Sequence, residues 1–270
     1  MLFRSQFPDG AFVVNATFYS AECAFMRSDN EKALQGYEHV IQSRDEQFLA
    51  TSLFNAASIL FGKKEYQRAL PYYSQLEQKA ILPSQKADGM MGKTRCYWEL
   101  QQYDSAMAAS NILLNDEKTS SEMKEEARAI IARSAMATND IDLAATQYTI
   151  LSKLNKSEIV SEALYSLTYI EYKKGNLEQA EKKIFEVLTN ISHDYWLAKS
   201  YILLGDIYVE KGNSFQAKHT YLSIIENYDG EDLVQIATEK YNKILAMENA
   251  IEQEQNQQNN EIPQDNEDNE

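Results

Sequence analysis

The chain has 270 residues with only 9 Gly and 4 Pro, and a formal net charge of −15. So few turn-forming residues exclude a fold built on many tight turns, and the abundance of Ala, Leu, Glu, Lys, Gln and Tyr suits helices. Seven acids and no bases lie between Glu252 and Glu270, so about half of the charge belongs to a tail; the scattered Lys and Arg of the body form no basic stripe of the kind that holds nucleic-acid phosphates.

At the N-terminus, Met1-Leu2-Phe3-Arg4-Ser5-Gln6 shows no charged segment followed by an apolar run, so no signal peptide is visible. No apolar run anywhere approaches the ~20 residues of a membrane span. Phe7-Pro8-Asp9-Gly10 reads as a junction after a previous repeat, with Leu2, Phe3 and Phe7 as remnants of an upstream unit. Residues 1–13 are expected to be that remnant, and the chain is expected to be the C-terminal part of a longer array with Met1–Ser5 as an artificial start.

From residue 14 onward the sequence repeats. Ala33, Ala69, Ala106, Ala144, Ala180 and Ala217 are separated by 36, 37, 38, 36 and 37 residues. Four residues after these ruler alanines stand Tyr37, Tyr73, Ser110, Tyr148, Ile184 and Tyr221, and seven after stand Val40, Leu76, Leu113, Leu151, Val187 and Ile224. Steps of four and then three keep all three positions on one face of a helix, here called helix B. Twelve residues before the ruler the side chain is small, at Ala21, Ala57, Thr94, Ala132, Thr168 and Gly205. It is small again seventeen before, at Ala16, Ser52, Gly89, Ala127, Ala163 and Ser200. Two small positions on a preceding helix A let two helices approach closely. Turn-forming residues separate A from B, as in Ser28-Asp29-Asn30, Asn139-Asp140, Gly175-Asn176 and Gly212-Asn213. The six units start near 14, 50, 87, 125, 161 and 198 and run to 230. One such unit cannot bury its apolar face alone, so neighbours must stack.

This register resembles the tetratricopeptide repeat (TPR) family, whose pattern is an aromatic, Leu-Gly and Tyr in helix A, and Ala, an aromatic and Ala in helix B. The last full unit carries it best, with Tyr201, Leu204-Gly205, Tyr208, Gly212, Ala217 and Tyr221. Lys93 and Arg128 depart from the pattern where an apolar residue is usual. The resemblance implies an all-α, TPR-type α-solenoid of antiparallel helix pairs forming a right-handed superhelix of about 13 helices. The stretch around His193, Tyr195-Trp196-Leu197-Ala198 and Gln216-Ala217-Lys218 resembles C-terminal repeats of long Bacteroidetes TPR proteins of the cell envelope. That likeness implies the periplasm or the periplasmic face of an outer membrane.

Beyond the repeats, Leu233, Ile236-Ala237, Tyr241, Ile244-Leu245 and Met247 mark an A-type capping helix over 231–252. Residues 253–270 are Gln, Asn, Asp and Glu with one Ile and one Pro. They bury too little to offset their ordering entropy and are expected to be a disordered acidic tail.

Catalytic and metal-binding patterns are not found. Cys23 and Cys96 both lie ten residues before a ruler alanine, two repeats apart, too far for a disulfide and expected as buried free thiols. His39, His193 and His219 lack metal-type spacing. Gly89 and Gly92 have no Gly-Lys-Ser/Thr ending, and no Gly-x-Ser-x-Gly occurs. The expectation is a non-enzyme without cofactor or metal.

In the TPR family the A helices line a concave groove. Fifteen and eight residues before the ruler, the positions implied to face it, stand Phe18, Phe54, Met91 and Tyr165, then Phe25, Phe61, Trp98, Met136 and Tyr172. Eleven before stand Arg95, Arg133 and Tyr169. Aromatics with Arg dominate protein-binding hot spots, and Met tolerates varied partners; the same side chains could equally pack between A helices. The Lys/Asn carboxylate clamp of chaperone-tail TPRs is missing. The implied partner is therefore a protein or peptide, with no nucleic acid and no direct membrane insertion. The alternative is a structural spacer that self-associates through an open N-terminal end.

Overall fold

The computed structural model describes residues 12–43 and 46–261, with side chains as far as residue 255. Among the described residues there are thirteen helices and no strand. The A helices are α1 (Val13–Met26), α3 (Glu46–Gly62), α5 (Pro83–Glu99), α7 (Ser121–Ala137), α9 (Glu158–Lys173) and α11 (Asp194–Glu210). The B helices are α2 (Asn30–Ser43), α4 (Tyr66–Lys79), α6 (Tyr103–Asn115), α8 (Ile141–Leu151), α10 (Leu177–Leu188) and α12 (Ser214–Asn227). A last helix, α13, spans Glu231–Glu261. Among the described residues no helix is long and apolar enough to cross a membrane.

Every A helix stops by the same device. The residue five before each ruler alanine has positive φ: Ser28, Lys64, Gln101, Asn139, Gly175 and Gly212, between 57° and 78°. At the first of these, Ser28 N–H donates to the Phe25 carbonyl and Asp29 N–H to the Ala24 carbonyl, both at 2.9 Å. The same pair of bonds recurs at the last, from Gly212 to Val209 and from Asn213 to Tyr208. These two bonds satisfy carbonyls that a helix end leaves without partners. The next residue then starts helix B. Asp140 Oδ1 accepts from Leu143 N–H at 3.1 Å and Asn213 Oδ1 from Gln216 N–H at 3.1 Å, the N-cap bond that makes Asx residues favourable there.

The chain forms two compact units, divided in α8 between Gln147 and Tyr148. In the first, the four ruler alanines are fully buried, with Tyr37, Val40, Leu53, Leu60, Leu76, Leu113 and Ile130 packed around them. Burying each such large side chain contributes roughly 1.5–3 kcal/mol before chain entropy is counted. Gly89 lets α5 reach the α4 backbone: a Cβ built there would lie 2.5 Å from Glu77 N and 2.9 Å from the Tyr73 carbonyl. In the second unit Ala180, Ile184, Ile207, Ala217, Tyr221 and Ile224 make the core, closed by Leu233, Ala237 and Ile244 of α13.

Two expectations meet different facts. The expected end of the last helix at 252 falls inside α13, which continues to Glu261. The stretch from Ile251 to Glu261 has no Gly or Pro, and its Gln and Glu are good helix formers. The rest of the proposed tail, 262–270, lies outside the described residues, as does most of the N-terminal remnant at 1–13. Cys96 is buried as expected, but Cys23 is exposed, because no described helix covers that side of α1.

Candidate functional site

In the first unit the A-helix positions divide between core and surface. Phe18 is core: it is 8% exposed and stacks on Phe48 with ring centroids 4.3 Å apart. Met91 is core as well, 1% exposed among Ala106, Leu113, Ala127 and Ile130. These two therefore leave the set of groove contacts; the next A helix covers Phe18, and α6 and α7 cover Met91. Phe25 and Phe54 present part of their rings to solvent, 37% and 40% exposed. Phe61 is half-buried, edge-on to Tyr66 at 5.0 Å, and Trp98 leans on Tyr103 at 5.3 Å. Arg133 and Met136 are half-buried.

Arg95 is exposed but not free. Its Nε donates to Glu126 Oε1 at 2.5 Å and its Nη2 to Oε2 at 2.6 Å. This fork-to-fork pair joins α5 to α7 and holds the guanidinium charged, its pKa raised by the Glu126 hydrogen bond. It takes Arg95 out of the role of an unpaired cation awaiting an acidic ligand. In α1, Glu22 accepts from the Tyr37 hydroxyl at 2.6 Å and from Asn55 Nδ2 at 2.9 Å.

The second unit brings its three predicted tyrosines together. Tyr165 and Tyr169 stack with centroids 6.0 Å apart and planes 18° apart, and Tyr169 lies 6.2 Å from Tyr172. All three are half-buried on one face of α9. The row extends to Trp196 of α11, 5.5 Å from Tyr165, and then to Tyr195, 5.2 Å further and edge-on. Lys199 Nζ sits 5.0, 5.4 and 4.9 Å from the Tyr165, Tyr195 and Trp196 centroids, a cation held against ring faces. Burial among those rings lowers its pKa, with Glu162 and Asp232 opposing. At the other end, the Tyr172 hydroxyl donates to Glu210. Burial first, and that carboxylate second, push the Tyr172 pKa up, so the hydroxyl stays protonated. Beyond it lies an open cleft of about 250 Å³ between Tyr172, Val209, Lys243 and Met247. On its floor Asp206 accepts from Tyr221 at 2.7 Å and from Lys240 at 2.6 Å.

Counting from the ruler placed the α9 tyrosines but missed Tyr195, Trp196 and Lys199. These three sit in the first turns of α11, outside the positions counted; the sequence signal was the adjacent aromatic pair itself. Among the described residues no group of His, Cys, Asp and Glu side chains is arranged to hold a metal. His193 Nδ1 is 3.4 Å from Ser161 and 3.1 Å from Ser192, and the His219 ring packs on Phe215 at 4.5 Å. Both histidines have structural contacts.

Stacked helix pairs with an aromatic A-helix face define a helical-repeat protein. Residues 72–246 match the family model of the tetratricopeptide repeat-like domain. The chain belongs to that family. No curated protein sequence matches it. Among solved structures, a tetratricopeptide repeat protein from Parabacteroides merdae is similar over 88% of each chain, at 16% identity and TM-score 0.57. PilW, a type IV pilus biogenesis factor, is similar over 85% of this chain and 100% of its own, at 15% identity and TM-score 0.61. The apo quorum sensor NprR from B. thuringiensis is similar over 91% of this chain and 73% of its own, at 13% identity and TM-score 0.65. These likenesses establish the all-α TPR-type solenoid fold.

Proposed function

We propose that the chain is a non-catalytic scaffold that binds a protein or peptide segment along the exposed faces of its A helices. The observation that carries this reading is the row Tyr165, Tyr169 and Tyr172 on one face of α9, prolonged by Trp196 and Tyr195. Half-buried aromatic rings whose neighbours already fix their orientation lose little entropy when a ligand covers them, which is what a binding hot spot needs. Phe25, Phe54, Phe61 and Trp98 are the corresponding surface in the first unit. Compatible with this, NprR has been solved with its cognate peptide NprX, at 14% identity and TM-score 0.53 to this chain.

The test is a peptide-display selection on the full chain, followed by titration of the selected ligand against wild type and against Tyr165→Ala/Tyr169→Ala/Tyr172→Ala, three substitutions within the one row on α9. Truncating three anchors should weaken binding at least ~100-fold, since a hot-spot ring contributes about 1–2 kcal/mol or more. A selected ligand that binds the triple variant with unchanged affinity would remove the A-helix faces as the site.

A further inference from the structure

Four lysines of the second unit are half-buried: Lys183, Lys199, Lys218 and Lys240. Three of them hold a carboxylate. Lys183 pairs with Glu171 at 3.1 Å, Lys218 with Glu248 at 2.6 Å and Lys240 with Asp206 at 2.6 Å. Lys199 alone of the four has no ion pair among the described residues. Its ammonium lies instead against the rings of Tyr165, Tyr195 and Trp196. Ring faces replace part of water's attraction for a cation but offer no oxygen to its N–H groups. Burial accordingly works against the charge, and Glu162 and Asp232 favour it only from beyond ion-pair distance. Glu162 is itself 4% exposed and accepts from the Tyr148 hydroxyl at 3.3 Å. Lys199 also stands within the row. Its contacts Tyr165 and Tyr195 are the two neighbours of Trp196, and Tyr169 and Tyr172 continue beyond Tyr165.

We propose that Lys199 sets the specificity of this row, and that the segment bound there carries an Asp or Glu side chain between apolar or aromatic neighbours, its carboxylate accepting from the Lys199 ammonium. The inference rests on the peptide-binding reading above and names the partner class for it. Charge complementarity selects the acid. An apolar side chain laid over Lys199 would remove the remaining water from an ammonium that has no anion, which is costly. A basic one would add repulsion. A carboxylate turns the same burial into a charge-assisted hydrogen bond. The acids nearby do not repel it strongly, because they are already engaged: Asp206 accepts from Tyr221 and Lys240, Glu210 from Tyr172 and Glu162 from Tyr148. The rings on both sides of Lys199 decide where in the ligand the acid stands. A segment that covers Tyr195 as well as Tyr165 continues past the ammonium in both directions, so the carboxylate is that of an internal side chain rather than of a chain end.

The probes are two pools of short peptides displayed against the full chain. Both have randomised apolar and aromatic positions; one has Glu fixed at its centre and the other Gln. Binders should come from the Glu pool, and exchanging the central Glu for Gln should weaken them at least ~10-fold on the wild-type chain. That comparison needs no protein variant. On Lys199→Met, whose stem still covers the rings, the Glu and Gln forms should bind alike. The same Glu preference on both chains would place the acid elsewhere and overturn the proposal. Binders drawn equally from both pools, yet lost in Tyr165→Ala/Tyr169→Ala/Tyr172→Ala, would overturn the acidic partner and leave the peptide-binding reading standing. Binders indifferent to that triple variant would overturn both. The chain's own last acids, Asp265, Glu267, Asp268 and Glu270, are the competing occupant. Neutralising them in the full chain should leave the affinity for the Glu peptides unchanged. A gain of ~10-fold or more would mean that the chain fills its own site, and would overturn the assignment to a partner.

Discussion

Cys23 in α1 and Cys96 in α5 occupy the same place in their repeats, ten residues before a ruler alanine, yet one is exposed and the other buried. Seventeen before the ruler, Ala16 is open to solvent while Gly89 lies against the α4 backbone. Repeat position fixes which way a side chain points; the neighbouring helix pair decides whether it is covered. In a stacked array each unit contributes half of every interface, so the same residue type acquires opposite properties at a covered and an uncovered face.

The largest expected contrast is chemical. Burial pushes the Cys96 thiol up to about 12, which leaves on the order of one thiolate in ten thousand at pH 8, and only the thiolate is nucleophilic. An aromatic disulfide reagent should therefore modify one thiol per chain quickly, and a Cys23→Ser variant should lose that fast phase. Cys96 should react ~1000-fold more slowly or less, until denaturant opens the first unit. Two fast thiols in the native chain would show that α5 is not covered as described.

A smaller effect separates the small residues of the two helices. Gly89→Ala would ordinarily stabilise a helix by about 1 kcal/mol. Here its methyl would meet Glu77 N at 2.5 Å and the Tyr73 carbonyl at 2.9 Å, and backbone cannot swing aside as a side chain does. Overpacking should exceed the propensity gain and leave a net loss of about 2 kcal/mol. Ala16→Ser, one added atom on the open face, should change stability by no more than ~0.5 kcal/mol. Denaturant melts of dilute protein give both values, and a Gly89→Ala chain more stable than wild type would refute the close α4–α5 contact.

The same distinction explains how far the sequence could be read. The six alanines are all fully buried, and they were legible because each packs within its own repeat, where spacing alone defines the neighbours. Phe18 and Met91 were misplaced because their cover comes from helices whose side chains are set elsewhere in the sequence. Arg95 was legible as a surface residue but not as half of an ion pair; its partner Glu126 lies in the next repeat. Tyr165, Tyr169 and Tyr172 were legible as one face because they share one helix, whereas Trp196 joins them only through the packing of α11 on α9.

The finest effect lies in the turns. Positive φ at the residue five before the ruler suits Gly175 and Gly212, and it strains Lys64 and Gln101, whose side chains must accept φ of 62° and 57°. For a residue with a Cβ that conformation costs roughly 1–2 kcal/mol. Replacing Gln101 by Gly removes the strain but adds freedom to the unfolded chain, which costs about 0.4–1 kcal/mol. The two oppose each other, so Gln101→Gly should stabilise by only about 0.5 kcal/mol. Gly212→Ala reverses both signs and should destabilise by a similar amount, because a Cβ there has nothing within 4 Å to clash with and the backbone strain acts alone. Thermal melts of the two single variants and of the double test the pairing. The sites are far apart in the sequence and share no partner, so the double should return close to wild type. Two shifts of the same sign would mean that the six turns are not one repeated device.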